Sequence, residues 1–143
     1  MKIEDRRTNA KNTLTHLIEH RIIPIINEND TVATEEITFG DNDLLAALVS
    51  ILLNADALIL LTTTDGLHDE NSERVPFIDE MSEDILALDR GANGHLSTGG
   101  MKSKLLAADK AAKAGAAVLI ADGQTDGILQ NILAGADTGT LIS

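Results

Sequence analysis

The sequence predicts an α/β protein, a three-layer α/β/α sandwich around a mainly parallel sheet. Three observations carry this expectation. Apolar runs of strand length alternate with segments of helical period through most of the chain. "ALILLT" (57–62) is apolar with almost no break, as expected of a central strand buried on both faces. The polar clusters "NEND" (27–30) and "TTTD" (62–65) stand at the carboxyl ends of two predicted strands, where open α/β sheets hold their ligands.

Taken in order, residues 8–20 have helical periodicity, with Leu14, Leu17 and Ile18 on one face and Thr8 or Asn9 as N-cap. Residues 22–27 read as the first strand through Ile22, Ile23, Ile25 and Ile26, Pro24 marking an edge or the strand's beginning. "EEITF" (35–39) is a candidate short strand. "DNDLLAALVSILLN" (41–54) is a helix capped by Asp41 or Asn42, apolar almost all round and so expected to be buried. After strand 57–62, a polar loop containing Asp65-Gly66 occupies 63–80, and a short helix capped by Ser82 covers 82–89. The glycine-rich "GANGHLSTGG" (91–100) runs into helix 101–115, where Met101, Leu105, Ala108 and Ala112 share a face and Gly115 ends the helix. Strand 117–121, helix 126–134 and strand 139–142 follow. No internal repeat, low-complexity segment or linker is visible, and 143 residues fit one domain, long enough to bury about 70% of its unfolded surface.

Composition narrows the function. The formal net charge is −12, from 23 acidic and 11 basic residues. Nucleic acid and anionic membranes are therefore not expected as partners, because phosphate backbones and acidic lipids need clustered Lys and Arg. Aromatic residues are 1% of the chain, so base-stacking platforms are lacking as well. There is no cysteine, which excludes a disulfide scaffold and a thiolate metal site and suits a cytoplasmic protein. The start "MKIEDRRTNA" has no apolar core of a secretory signal, and no apolar run approaches membrane-spanning length.

Each polar motif has two readings. "NEND" can be a tight turn, since Asn and Asp bond their own backbone, or a site in which Asp30 accepts an ammonium and Asn side chains bond a carboxylate or amide. In "FGDND" (39–43) one of Asp41, Asn42 or Asp43 serves as helix cap, and three consecutive polar residues exceed what one cap needs. "STGGMKSK" (97–104) is the best phosphate candidate. Gly99-Gly100 permits close approach of backbone N–H groups, and the helix start adds about half a positive charge. Lys102 and Lys104 lie in the first turn against the dipole, which suggests an anion nearby, although Walker A spacing is missing and a plain loop explains Gly-Gly alone. His16 and His20 have an i,i+4 spacing that a metal could use, but no H-E-x-x-H pattern accompanies them, and a solvated helix face accounts for them; no metal ligand is assigned. No Ser-His-Asp grouping or nucleophile elbow is present.

In this order, "IIPIINENDTVATEEITFGDND", "ALILLTTTDGL" and "TGGMKSKLLAADKAAKAG" resemble the amino-acid kinase family, specifically the branch that phosphorylates L-glutamate, over nearly the whole chain from about Asn9 to Ser143. The pair "INEND" and "FGDND" is the specific part; other branches share the sheet and the late lysine loop. The resemblance implies transfer of the γ-phosphoryl group of ATP to the side-chain carboxylate of L-glutamate, giving γ-glutamyl phosphate for proline biosynthesis. It implies that Asp30 and Asn42 hold glutamate, that Asp43 orients the catalytic lysines, and that Lys104 stabilises charge on the transferring phosphoryl group. Thr98, Gly99, Gly100, Met101, Lys102, Ser103 and Lys104 would form the ATP loop, with Thr62 and Thr63 near the adenosine end and Mg²⁺ brought mainly by the nucleotide's oxygens. A homo-oligomer is expected.

Two departures stand out. The family usually reads "LLTD" where this chain has Thr63 in the acidic position, so backbone contacts to ATP are expected there and an acidic side-chain role is not. Nothing in Met1–His20 resembles the family's opening strand, lysine and Gly-Ser loop, and no PUA domain follows "GTLIS". Residues 1–143 are therefore expected to be a partial kinase domain lacking its amino-terminal half, inactive by itself. The alternatives are another enzyme of the family acting on a different carboxylate or phosphate, or a nucleotide-binding fragment without catalysis.

Overall fold

The computed structural model describes residues 3–27, 42–88 and 100–143. Five helices and four strands occur there in the order α1 (Ile3–Glu19), α2 (Asn42–Leu53), β1 (Ala57–Thr62), β2 (Phe77–Ile78), α3 (Glu83–Leu88), α4 (Gly100–Ala112), β3 (Ala117–Asp122), α5 (Ile128–Leu133) and β4 (Thr140–Ile142). The strands form one sheet in the order β1-β3-β4-β2. β1 runs parallel to β3 from Ala57↔Ala117 to Thr62↔Asp122, and β2 runs parallel to β4. β3 and β4 are antiparallel, so two of the three pairings are parallel and the sheet is mixed.

Helices α2 and α4 pack on each other and on the β1–β3 half of the sheet. Their contact faces are small: Ala47 and Ser50 on α2, Ala107, Ala108 and Ala111 on α4, all buried. Small side chains let helix axes approach closely, and a larger residue at fully buried Ala108 would overpack the seam at about 1–3 kcal/mol. Leu105, Val118 and Ile120 fill the layer between α4 and the sheet, each contributing about 1.5–3 kcal/mol of burial. Met101 packs against the same core, as its position on the predicted apolar face requires.

Local chemistry sets the boundaries. Ser82 Oγ accepts a hydrogen bond from Ile85 N at 3.2 Å, the expected cap of α3. Gly115, at φ +98°, ends α4 where the sequence placed the stop, with Ala116 N donating to Ala111 O. Asn54 closes α2 in the same left-handed region, at φ 50°.

The structure corrects four expectations. Helix α1 begins by Ile3, so Thr8 and Asn9 are inside it rather than capping it; the preceding Glu, Asp and Arg residues are compatible with helix and extend it. Residues 22–27 pair with no described strand, and Ile23 and Ile25 are 87% and 97% exposed. β1, expected in the middle of the sheet, is at the edge of the described strands, with Leu61 46% exposed. These two differences have one cause: an apolar run becomes a buried strand only where another strand pairs with it, and no described strand lies beyond β1. The loop 63–80 contains structure of its own, namely the bridge His68↔Arg74 and β2. The expected strand 35–39 and the loop 91–99 lie outside the described residues.

Candidate functional site

Helices α2 and α4 come together at their amino-terminal ends, which brings residues 61 positions apart into contact. Asp43, in the first turn of α2, accepts a hydrogen bond from Lys104 Nζ at 2.7 Å. Ser103 Oγ donates to the same carboxylate oxygen, Oδ2, at 3.3 Å. The Lys104 and Asp43 side chains are only 15% and 16% exposed. An acid in the first turn of a helix is favoured by the dipole, and Asp43 thereby also supplies the counter-charge that lets Lys104 sit in the first turns of α4. Charge-assisted hydrogen bonds in such partly buried sites are worth about 1.5–3 kcal/mol. The pair fixes where an ammonium points, yet leaves a lysine close to a helix start, where an anion would be attracted.

The other described residues of the expected site lie at the ends of their elements. Asn42 is exposed at the first position of α2, Lys102 is exposed on α4, and a side chain at Gly100 would meet nothing within 4 Å. Thr62 ends β1 and is paired in register with Asp122, and its carbonyl accepts from Gly123 N at 2.9 Å. Thr63 is exposed just beyond. Asp122 folds the chain back as it leaves β3: its carboxylate accepts from Gln124 N at 2.9 Å and from Thr125 Oγ1 at 3.2 Å. Asp30, Thr98 and Gly99 lie outside the described residues.

A brace for the Thr62–Gly66 turn escaped the sequence reading. Thr140, fully buried in β4, accepts from Leu67 N at 2.9 Å and donates to Val75 O at 2.7 Å. Gly66, at φ +141°, lies so close to Thr140 Oγ1 that no side chain fits. Arg74 donates to Gly139 O and to Asp137 Oδ1, the latter at 2.7 Å. Thr64 Oγ1 donates to Gly66 O at 2.7 Å and closes the turn from within. The one signal in the sequence was a threonine starting a short strand beside glycine, which by itself predicts only a turn.

The His16 and His20 rings touch at a centroid distance of 4.2 Å with their planes tilted by 51°, and His20 Nδ1 bonds His16 O at 2.8 Å. Among the described residues no group of three or more His, Cys, Asp or Glu converges as a metal site. Among them, too, no helix is long and apolar enough to cross a membrane.

Known proteins supply the context. The chain is 46% identical over 143 residues to a glutamate 5-kinase of Hydrogenovibrio crunogenus, covering 96% of this chain and 38% of that protein. It is 48% identical over 144 residues to a glutamate 5-kinase of Geobacillus thermodenitrificans, with the same coverage of each. The chain thus spans about 38% of the length of these curated relatives. Among solved structures it resembles a Giardia carbamate kinase, with TM-score 0.64, 27% identity, and 92% of this chain against 46% of that one. It also resembles a UMP kinase from Bacillus anthracis, with TM-score 0.63, 18% identity, and 96% against 50%; at that identity the likeness is one of fold. Residues 2–122 match the amino acid kinase family across α1, α2, α4 and the parallel pair β1–β3, the elements that carry the Asp43–Lys104 contact. On the sequence match and the shared fold together, this chain belongs to the amino acid kinase family.

Proposed function

We propose that this chain is part of a kinase domain that moves the γ-phosphoryl group of ATP onto the side-chain carboxylate of L-glutamate, the first step of proline biosynthesis in the cytoplasm. The observation that carries the reading is the Asp43–Lys104 contact, which joins the α2 start to the α4 start in a chain whose curated relatives are named glutamate 5-kinase. A carboxylate oxygen of glutamate attacks phosphorus, the bond from phosphorus to the β,γ-bridging oxygen breaks, and ADP leaves with that electron pair. The nucleophile is already ionised, so no general base is required; positioning and charge neutralisation are what the protein must supply.

In this reading Lys104 faces the phosphoryl oxygens and Asp43 positions it. Asp30 and Asn42 hold the glutamate, while Thr62, Thr63 and the segment Thr98–Lys104 hold ATP. Mg²⁺ enters on the nucleotide: the Asp43 carboxylate is engaged by Lys104 and Ser103, which favours a metal held by phosphate oxygens rather than by a protein cage. Homo-oligomeric assembly belongs to the same reading.

The chain by itself should bind Mg-ATP weakly without turning it over, which calorimetric titration reads directly; no heat at millimolar nucleotide would count against the ATP assignment. Joined to the remainder of a family domain, it should release ADP with L-glutamate and not with N-acetylglutamate or aspartate. ADP release with one of those instead would place it in another branch of the family.

A further inference from the structure

Three aspartates in the chain are followed by glycine, at Asp65–Gly66, Asp122–Gly123 and Asp126–Gly127. This dipeptide carries a latent reaction. Glycine has no side chain to hinder its nitrogen, so that nitrogen can attack the preceding carboxyl group. The N–Cγ bond forms, the nitrogen's proton and the hydroxyl of the carboxylic acid leave as water, and a five-membered succinimide remains. Water then adds back. Addition at Cγ restores aspartate, whereas addition at the main-chain carbonyl leaves isoaspartate, with the backbone rerouted through Cγ and the free carboxylate on Cα. One water is lost and one regained, so neither oxidant nor cofactor is required.

The fold treats the three pairs differently. Gly123 N donates to Thr62 O at 2.9 Å, while the Asp122 carboxylate accepts from Gln124 N and Thr125 Oγ1. Gly66 N donates to Thr64 Oγ1 at 3.2 Å, Asp65 Oδ1 lies 3.0 Å from His68 Nε2, and Gly66 is buried against Thr140. In both pairs the attacking nitrogen and the carboxyl group are engaged elsewhere. Asp126 and Gly127 are both exposed. Among the described residues, neither the Asp126 carboxylate nor Gly127 N has a hydrogen-bond or ion-pair partner. Space is open as well: a side chain at Gly127 would meet only Gln130 Oε1, at 3.8 Å.

We propose that Asp126 is a site of spontaneous isoaspartate formation, and that the fold spares Asp65 and Asp122. The site matters because α5 starts there. Ile128 N donates to Thr125 O and Asn131 N to Gly127 O, so the first bonds of the helix straddle the altered linkage. An extra main-chain carbon between them changes their spacing and disturbs the seat of buried Ile128. The reaction is independent of the ligand assignments and proceeds whether or not the chain binds ATP.

The full chain, held for weeks at neutral pH and physiological temperature, is digested with an endoproteinase that cuts before aspartate but not before isoaspartate. Mass spectrometry should show the 125–126 bond becoming resistant while 64–65 and 121–122 are still cut. Conversion at Asp126 should be at least about tenfold faster than at the other two, the factor expected from one hydrogen bond retained on the attacking nitrogen. In denaturant the three pairs should convert at similar rates, because only the fold distinguishes them. Asp126→Glu, which would need a six-membered ring, should abolish the reaction at this site and leave the circular dichroism unchanged, since the side chain has no partner to lose. Thr64→Val, which frees Gly66 N, should speed conversion at Asp65. Asn93–Gly94, outside the described residues, reports separately, because deamidation changes the mass of its peptide. Equal conversion of the three pairs in the folded chain overturns the proposal. So does a folded chain in which Asp126 stays intact while the unfolded chain converts.

Discussion

The two edges of the sheet are built in opposite ways. β2 has two residues, is preceded by Pro76, and runs directly into Asp79 and Glu80. Short length, proline and charge are the devices by which proteins stop a sheet from accepting another strand. β1 has six residues, none charged, with no proline and no bulge in its register against β3. Among the described strands, one edge is finished and the other carries none of these devices. The finished side is tied by specific polar bonds, Thr140 to the 67–75 hairpin and Arg74 to Asp137 and Gly139. The open side is held by apolar packing of α2 and α4, with Asp43 and Lys104 where the two helices start. The lesson is that the site's ionic contact belongs to the half of the described structure held by apolar packing rather than by specific polar bonds.

The sharpest way to break this contrast is to compare activity on the two sides, in a chain restored with the rest of the domain. If Lys104 acts as proposed, Lys104→Ala should lower kcat by about 10²–10³-fold, since its charge would be needed most as negative charge develops on the phosphoryl oxygens. Arg74→Ala should leave kcat within a few-fold and act on stability instead. Steady-state kinetics with saturating glutamate and varied ATP distinguishes the two, and equal losses would erase the division between a chemical side and a structural side.

Next in size is the brace itself. Thr140→Val keeps the shape and removes the hydroxyl, leaving Leu67 N and Val75 O unpaired, each at a cost of about 1–3 kcal/mol. Thermal unfolding should show a clear drop in Tm. Little change would mean that water replaces the hydroxyl and that the brace is weaker than its geometry implies.

On the open side, a polar replacement should cost almost nothing in the single chain. Ile23→Thr should change the stability of a monomeric sample by less than about 0.5 kcal/mol, because the side chain is already in solvent. Chemical denaturation at low concentration checks this, and a loss near 2 kcal/mol would show that the residue is buried within one copy.

The smallest effect is on the hairpin and depends on pH. The Glu73 N–H bonded to the Asp69 carboxylate, followed by the bonds from Asn71, holds its pKa below the ordinary carboxylate range. The bound form is the ionised one, so the stabilisation is fully present above the unfolded pKa and is lost as pH falls through the lowered folded value. The Asn71 and Glu73 amide resonances should titrate together at that lower pH. Titration at the ordinary carboxylate value would mean that the turn does not hold the charge.

How much of this the sequence disclosed depends on the range of each interaction. Helices α2 and α4 and the Gly115 stop were legible because periodicity and capping are local, and each residue carries its own signal. The run Ile22–Ile26 and the strand 57–62 were legible as apolar segments, but their place in the sheet was not. Hydrophobic content records that a strand should be covered and says nothing about which strand covers it. Asp43 and Lys104 could be paired from sequence only through family resemblance, since a contact across 61 residues leaves no periodic trace. The brace is the extreme case: Arg74 and Thr140 are single polar residues in loop-like surroundings, and no rule of composition or spacing joins them to partners 63 to 73 residues away.

β4 sits between β3 and β2, and β2 pairs with β4 alone among the described strands. During synthesis on the ribosome, the hairpin at 64–78 is therefore made long before anything exists for it to dock on. β1, α2, α4 and β3 can assemble once residue 122 has left the exit tunnel, but the hairpin must wait until residues 140–142 are made and have cleared it. A nascent chain halted with residue 122 outside the tunnel and residues 140–142 still inside it should be cut by protease within 64–78 while β1, α2, α4 and β3 resist. A later halt that exposes β4 should close that window.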